Sequence, residues 1–554
     1  MSHRDDSLTR RTLLKTSLLG GALAAAGPWP GGPGRAEAAQ DPDGRGEATA
    51  TPSFDFEEAT IADLQKRIQS GGLSSRALTE AYLERIAALD RKGPNLRAVL
   101  ELNPDALSIA EELDQERQGG KVRGPLHGIP VLIKGNVGTA DRMTTTAGSL
   151  ALEGSIPEKD AFIAARLREA GAVILAKANL SEWANFRSTH SSSGWSSQGG
   201  QCRNPYALDR SPSGSSSGTG AGVSANFAAV GVGTETDGSI VSPSGASSLV
   251  GIKPTVGLVS RNGIVPISHT QDTAGPMART VADAAILLSV LAGIDPEDKA
   301  TAASKGKAEA DYTKFLDPKG LQGARIGIAR KRYSGYSEET DKVFEQAIDA
   351  LKKAGAVVVD PADIESGGKF DDAEFEVLLY EFKADLNAYL KSLGPKAPVK
   401  SMKEVIECND KNRERVMPYF GQEIFQMAQA KGPLTDKAYK DALAKCRQLS
   451  RKEGIDATLA RHKLDAIVAP TGGPPWMIDP INGDAYSGGS SSPAAVAGYA
   501  SITVPAGYIF GLPIGLSFIG GAWSEPKLIR LAYAFEQETQ ARRAPRFLPT
   551  ADLG

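Results

Sequence analysis

Phe162-Ile163-Ala164-Ala165-Arg166-Leu167-Arg168-Glu169-Ala170-Gly171-Ala172-Val173-Ile174-Leu175-Ala176 decides the fold class. Phe162 to Ala170 reads as a helix, Gly171 as its stop, and Ala172 to Ala176 as a short buried strand. The same order returns at Val343 to Ala354, Gly355, and Ala356 to Val359. Alternation of this kind predicts an α/β protein whose central sheet is mostly buried, with helices on both faces.

Outward from that unit, Val131-Leu132-Ile133 reads as another buried strand, because Gly124-Pro125-Leu126-His127-Gly128-Ile129-Pro130 breaks any helix before it. Residues 54–118 carry helical spacing, in Ile61, Leu64 and Ile68 and again in Leu78, Tyr82, Ile86 and Leu89. Residues 365–460 are helical and charged, with few turn signals, and are expected to form a helical insertion or cap. Strands and glycine-rich turns resume over 464–540, with a helix near Leu528 to Gln537. The sheet then draws strands from both halves of the chain, which predicts a single domain over 54–554.

Composition narrows the function. The 554 residues are 41% apolar and 23% charged, an ordinary globular balance with ample material for a large core. Net charge is −3, and beyond the first few dozen residues there is no run of Lys or Arg, so no nucleic-acid surface is expected. No stretch reaches the roughly 18 apolar residues of a membrane span. Cys202, Cys408 and Cys446 lack C-x-x-C spacing and histidine neighbours, so no structural zinc site is expected, and three separate thiols are favoured over one disulfide.

Residues 1–39 read as an export signal. Arg10-Arg11 precede an apolar run from Leu13 to Ala26, and Ala36-Glu37-Ala38 offers small residues to a signal peptidase. The paired arginines resemble the bacterial twin-arginine signal, which implies transient contact with that export machinery and a periplasmic or secreted protein. Residues 40–53, rich in Asp, Gly, Thr and Pro, read as a flexible tether.

Two segments inside 186–257 carry the chemistry. The first is Ser211-Pro212-Ser213-Gly214-Ser215-Ser216-Ser217-Gly218, followed by an Ala-rich, helical-looking stretch from Ala221 to Ala229. The second is Gly233-Thr234-Glu235-Thr236-Asp237-Gly238-Ser239-Ile240, at the end of the apolar run Ala228 to Val232. A Ser/Gly composition alone suggests a linker, but Trp183, Phe186, Trp195 and Tyr206 nearby argue for backbone packed around a site. A strand that runs into a Gly turn ending in Ser exposes a hydroxyl and aims successive N–H groups into one space, as an oxyanion hole needs.

A serine nucleophile also needs a base. Only five histidines are present, and the nearest, His190 and His269, have no evident acidic partner in the sequence. A buried lysine can serve if burial lowers its pKa, and Lys134 directly follows the strand Val131 to Ile133. On spacing alone, a surface lysine at a strand end fits equally well.

Together these segments resemble the amidase-signature family, closely from Gly124 to Arg279 and more loosely to about Gln537. The family shares an apolar strand ending in Lys and a Gly-Ser-Ser segment, with the nucleophile 24 residues after the first of those serines, which is the separation of Ser215 and Ser239. Gly251-Ile252-Lys253-Pro254-Thr255 and Asp272-Thr273-Ala274-Gly275-Pro276 with Arg279 are similar to its later motifs. The resemblance implies the family's fold, with a large mixed central sheet. It implies Lys134 as base, Ser215 as bridging serine and Ser239 as nucleophile, with the N–H groups of Thr236, Asp237, Gly238 and Ser239 as oxyanion hole. Ser216 and Ser217 are expected to make local hydrogen bonds. No metal or organic cofactor is implied.

The departures are informative. Ser213-Gly214 stands where Gly-Gly is usual, Glu235-Thr236-Asp237-Gly238-Ser239 where Asp-x-Gly-Gly-Ser is usual, and Val241-Ser242 where many members carry Arg. A guanidinium fork suits a substrate carboxylate, so its absence argues against small carboxylate-bearing amides. With Ser181-Glu182-Trp183-Ala184-Asn185-Phe186-Arg187, this variant resembles bacterial peptide amidases, which implies removal of C-terminal peptide amides. Small or aryl amides or esters are the alternative substrates, and a non-catalytic binding protein on the same fold is the alternative class.

Overall fold

The computed structural model describes residues 53–553. The expected export signal and, except for Ser53, the expected tether lie outside the described residues. Among the described residues the strands are β1 (Val99–Leu102), β2 (Pro130–Lys134), β3 (Val173–Ala178), β4 (Trp195–Ser196), β5 (Gly200–Gln201), β6 (Val230–Glu235) and β7 (Val250–Lys253), then β8 (Thr273–Ala278), β9 (Arg325–Ile328), β10 (Val357–Val359), β11 (Ala466–Pro470), β12 (Ser501–Ile509) and β13 (Leu512–Ile519). β4 and β5 pair with each other, and the other eleven form one sheet in the order β1-β3-β2-β6-β8-β7-β12-β13-β11-β9-β10.

The sheet is mixed, and its parallel parts lie where helix and strand alternate in sequence. β2 and β3 are parallel, and the chain between them includes the helix Phe162–Glu169. β9 and β10 are parallel, and the helix Glu338–Lys353 lies between them. A parallel pair cannot be joined by a tight turn and needs a crossover, which these helices supply. The second helix starts on Ser337, whose side chain accepts from Thr340 N–H, and it carries Glu338, Glu339 and Asp341 in its first turn and Lys352 and Lys353 in its last. Both arrangements suit the helix dipole.

The sheet is buried on both sides. Along β11, Ala466 and Val468 join the main apolar core, while Ile467 and Ala469 join a second cluster with Ala329, Ile364, Ala494 and Ile519. Successive strand residues point to opposite faces, so apolar cover exists on each.

Residues 365–460 are helical, over Asp371–Ser392, Met402–Lys411, Arg413–Val416, Glu423–Gln429, Lys437–Arg447 and Asp456–His462. They pack on the segment that follows β3: Trp183 meets Phe425 edge-on at 5.4 Å and Phe186 meets Phe382 at 5.2 Å. Arg187 reinforces that seam. Its guanidinium is fully buried, pairs with Glu182 at 2.7 Å, donates to Val416 O at 2.6 Å and lies 4.2 Å from the Phe420 ring centre.

Two local expectations are corrected. The stretch 54–118 contains the strand β1 between helices Ser75–Leu89 and Ala106–Gln118, because Val99 pairs with Ala178 at one end of the sheet. The helix expected over Ala221 to Ala229 instead spans Ser217–Ser224, so it starts two residues after Ser215. All three cysteines are free thiols. Among the described residues no helix is long and apolar enough to cross a membrane.

Candidate active site

Three segments meet where β2 and β6 end. The two strands are parallel neighbours, Ile133 opposite Val232, so Lys134 and Thr234 lie close together at the C-terminal ends of the two strands. Ser215 reaches them from the third segment, at the entrance to helix Ser217–Ser224. That helix seats closely: a Cβ on Gly218 would lie 2.2 Å from Ala98 O and 2.5 Å from Asn179 O, so only glycine allows the approach. The peptide bond between Gly214 and Ser215 is cis, and Ser181 N–H donates to Ser215 O at 3.1 Å.

Lys134 has no exposed surface. Its Nζ donates to Ser215 Oγ at 2.8 Å, Thr234 Oγ1 at 2.9 Å and Thr234 O at 3.2 Å. Asn136 Nδ2 also donates to Thr234 Oγ1, at 3.0 Å. Burial disfavours the charged ammonium and brings the Lys134 pKa down to about 7, against the opposing pull of Asp272 and Glu235. At that value part of the lysine is neutral at neutral pH, and in that form its Nζ can accept from the Ser215 hydroxyl it touches; the surface-lysine reading is excluded.

Ser239 is buried to 8% exposure and sits in the turn after β6. Ser216 N–H donates to Ser239 O at 3.2 Å, which ties the turn to the residue after Ser215. Ser216 Oγ and the backbone of Thr234 bond each other at 3.1 and 3.2 Å, and Ser217 Oγ donates to Ser213 O at 2.7 Å. These are the local bonds expected of Ser216 and Ser217, and they weld the two serine-bearing segments together.

The turn itself is braced from outside. Gly238 has φ +81°, which side-chain-bearing residues rarely adopt, and a Cβ there would lie 2.9 Å from Ser491 Oγ. Glu235 reaches forward so that one carboxylate oxygen accepts Ile240 N–H at 2.8 Å and Val241 N–H at 3.0 Å. Thr236 Oγ1 donates to Asp272 at 2.6 Å, and Asp272 also accepts Ile267 N–H at 2.8 Å and Ser268 N–H at 2.9 Å. Burial pushes the Asp272 carboxyl up to about 6, opposed by these hydrogen bonds. Among the described residues none accepts from the backbone N–H of Thr236, Asp237, Gly238 or Ser239, so this turn can offer donors to an incoming oxygen.

Sequence reasoning placed Lys134, Ser215 and the 236–239 turn, and the structure brings them together. It missed Thr234, Asn136 and Asp272 as partners; Thr234 and Asp272 belong to the motifs around Ser239 and Arg279, but nothing in their types revealed a contact. It also left His269 without an acid. Asp385, from helix Asp371–Ser392, stands 2.9 Å from His269 Nδ1, and Glu381 stands 3.4 Å from Nε2. Glu381 is already engaged, accepting from Ser268 Oγ at 2.5 Å and Tyr439 OH at 2.7 Å. These partners lie over a hundred residues away in sequence, beyond the reach of local pattern. They fasten the loop before Asp272 to the helical segment.

A cavity of about 460 Å³ opens between His190, Tyr419 and Phe420 on one side and Pro480 to Gly483 on the other. Ser193, close to the cis peptide, donates its N–H to Asp484 at 2.9 Å, which links the cavity's far wall to the serine-bearing segment.

The Amidase family model matches residues 77–529. A probable amidase of Arabidopsis thaliana is 46% identical over 506 residues, covering 90% of this chain and 93% of that protein. The peptide amidase structure from Stenotrophomonas maltophilia superposes with TM-score 0.86 at 55% identity, covering 89% of this chain and 100% of that one. An amidase family protein of Bacillus anthracis gives TM-score 0.81 at 39% identity, covering 88% of this chain and 92% of that one. With its mixed sheet, its buried lysine–serine contact and these relatives, the chain belongs to the amidase family, whose members hydrolyse amide carbon–nitrogen bonds.

Proposed function

We propose that this amidase works through Lys134, Ser215 and Ser239 and removes ammonia from C-terminal peptide amides. The observation that carries the reading is the 2.8 Å contact between Lys134 Nζ and Ser215 Oγ in a fully buried setting. Neutral Lys134 takes a proton from Ser215, and Ser215 takes one from Ser239, since a hydroxyl donates and accepts at once. Ser239 Oγ attacks the amide carbonyl, and the N–H groups of the 236–239 turn meet the oxyanion. The relay returns a proton to the leaving nitrogen, ammonia departs, and water hydrolyses the acyl-enzyme.

The peptide-amide substrate rests on the likeness to the Stenotrophomonas peptide amidase and to a peptide amidase structure in complex with the competitive inhibitor chymostatin. The cavity beside Tyr419 and Ile481 falls in the size range of small-molecule sites. The test is a hydrolysis panel of peptide amides, free-acid peptides and small aliphatic amides, read as ammonia release. Ammonia from peptide amides alone is the expected result; fast turnover of small aliphatic amides with inert peptide amides favours the small- or aryl-amide reading instead.

We also propose export of a folded precursor, from Arg10-Arg11 and Ala36-Glu37-Ala38. Replacement of both arginines by lysine should retain the protein in the cytoplasm, and unchanged export would remove this assignment.

A further inference from the structure

Asp237 has no place in the proton relay, yet it stands two residues before Ser239 in the turn that faces the reacting carbonyl. Its neighbours Glu235, Gly238, Ser239 and Ile240 are buried, whereas Asp237 keeps partial exposure. One carboxylate oxygen accepts Ser491 Oγ–H at 2.5 Å. Ser491 precedes helix Ser492–Ala497 and lies against Gly238, within 2.9 Å of where a Cβ would stand. A hydroxyl that spends its hydrogen on Asp237 has only lone pairs left for anything else. The side chains of Asp237 and Ser491 therefore present acceptors, and no donor, beside the backbone N–H donors of the nucleophile's turn.

The nearby charges do not reverse this. Lys134 is enclosed by Ser215 and Thr234, and Arg261, which lines the small cavity beside Thr236, is paired with Asp298. Lys253 lies fully buried behind the turn, its charge disfavoured by burial and shared with Glu235 and Glu525 as well as Asp237. Val241 and Ser242 follow the nucleophile, and neither is a cation.

An amide and the acid it becomes differ in one respect that such a pair can read. The amide –NH₂ donates two hydrogen bonds and carries no charge; the carboxylate donates none and is negative. We propose that Asp237, fixed by Ser491, is a specificity-determining residue that accepts from the substrate –NH₂ and repels carboxylate. It admits the neutral amide, rejects substrates with an anionic group beside the scissile bond, and drives out the acid product. This deepens the terminal-amide reading above and rests on it.

The test compares an N-acetyl dipeptide amide with its free-acid product in steady-state kinetics. In the wild type the acid should inhibit weakly, with Ki at least about tenfold above KM for the amide. In Asp237→Asn the acid Ki should fall by about tenfold, a free-energy change of about 1.4 kcal/mol. Ser491→Ala, which frees the carboxylate to move, should fall between the two. The wild type supplies a check that needs no variant: raising ionic strength screens the repulsion and should lower the acid Ki. Equal affinity of the wild type for amide and acid, or an acid Ki unchanged by Asp237→Asn and by salt, would overturn the proposal. If peptide amides prove not to be substrates, that earlier reading fails, and benzamide with benzoate puts the same question to the charge filter alone.

Discussion

Lys134 Nζ lies 2.8 Å from Ser215 Oγ, and the lysine has no exposed surface. The second fact gives the first its meaning. In water a lysine is protonated at neutral pH and cannot take a proton from a hydroxyl. Here burial brings it down to about 7, so a substantial share is neutral under ordinary conditions.

In the proposed mechanism that value sets the acid limb of the pH–rate profile. Protonation of Lys134 removes the base, so kcat/KM should fall as pH drops through about 7. Lys134→Arg should lower kcat/KM by about 10³ or more at every accessible pH, because a guanidinium stays charged. A profile flat from pH 5 to 8 would contradict the assignment of Lys134 as base.

Asp272 modulates that limb. Its carboxylate favours the charged lysine, so Asp272→Asn should move the acid limb to lower pH. The same change weakens the brace on Thr236, so maximal kcat should also fall. Measurement of the full profile separates the two effects.

Ser239→Ala and Ser215→Ala each delete one hydroxyl. Both should cut kcat by about 10³ or more while leaving the melting temperature within a few degrees of wild type. Near-wild-type turnover by Ser215→Ala would mean that Lys134 reaches the nucleophile by another route.

Lys177 provides a stability prediction. It is fully buried, donates to Val137 O at 2.5 Å and Thr145 Oγ1 at 2.9 Å, and burial lowers it to about 7. Its folded pKa lies below its unfolded one, near 10.4. Between about pH 7 and 10 the unfolded chain binds the extra proton, so this group makes stability rise with pH. Lys177→Met should remove about 1 kcal/mol per pH unit of that rise in urea unfolding at pH 7.5 and 9.5.

Arg187 and Glu182 form a buried pair that joins the helical segment to the segment after β3. Removing one partner leaves a buried, unpaired charge. Arg187→Met should destabilise by about 3–5 kcal/mol, a loss visible in urea unfolding, and Glu182→Gln by a similar amount.

The sequence revealed those parts of the fold and site that are local. Phe162 to Ala176 spells out a helix and a buried strand, and the structure uses them as a parallel crossover. Lys134, Ser215 and the turn at Ser239 each carry a signature within a few residues of themselves. Contacts made by chain folding were not legible. Val99 to Leu102 looks helical until Ala178 is placed beside it, because a four-residue edge strand has too few turns of its pattern to stand out. Asp385 beside His269 and Ser491 beside Asp237 join residues separated by 116 and 254 positions, and no periodicity encodes such a meeting.

The proposed mechanism acylates Ser239. The most direct measurement is site-mapped labelling by a fluorophosphonate, which reacts with an activated serine hydroxyl, followed by peptide mass spectrometry. A single adduct on Ser239 in the wild type, and none in Ser239→Ala or Lys134→Arg, is the expected result. An adduct on Ser215 or any other serine, or no adduct on an enzyme that releases ammonia, would contradict it.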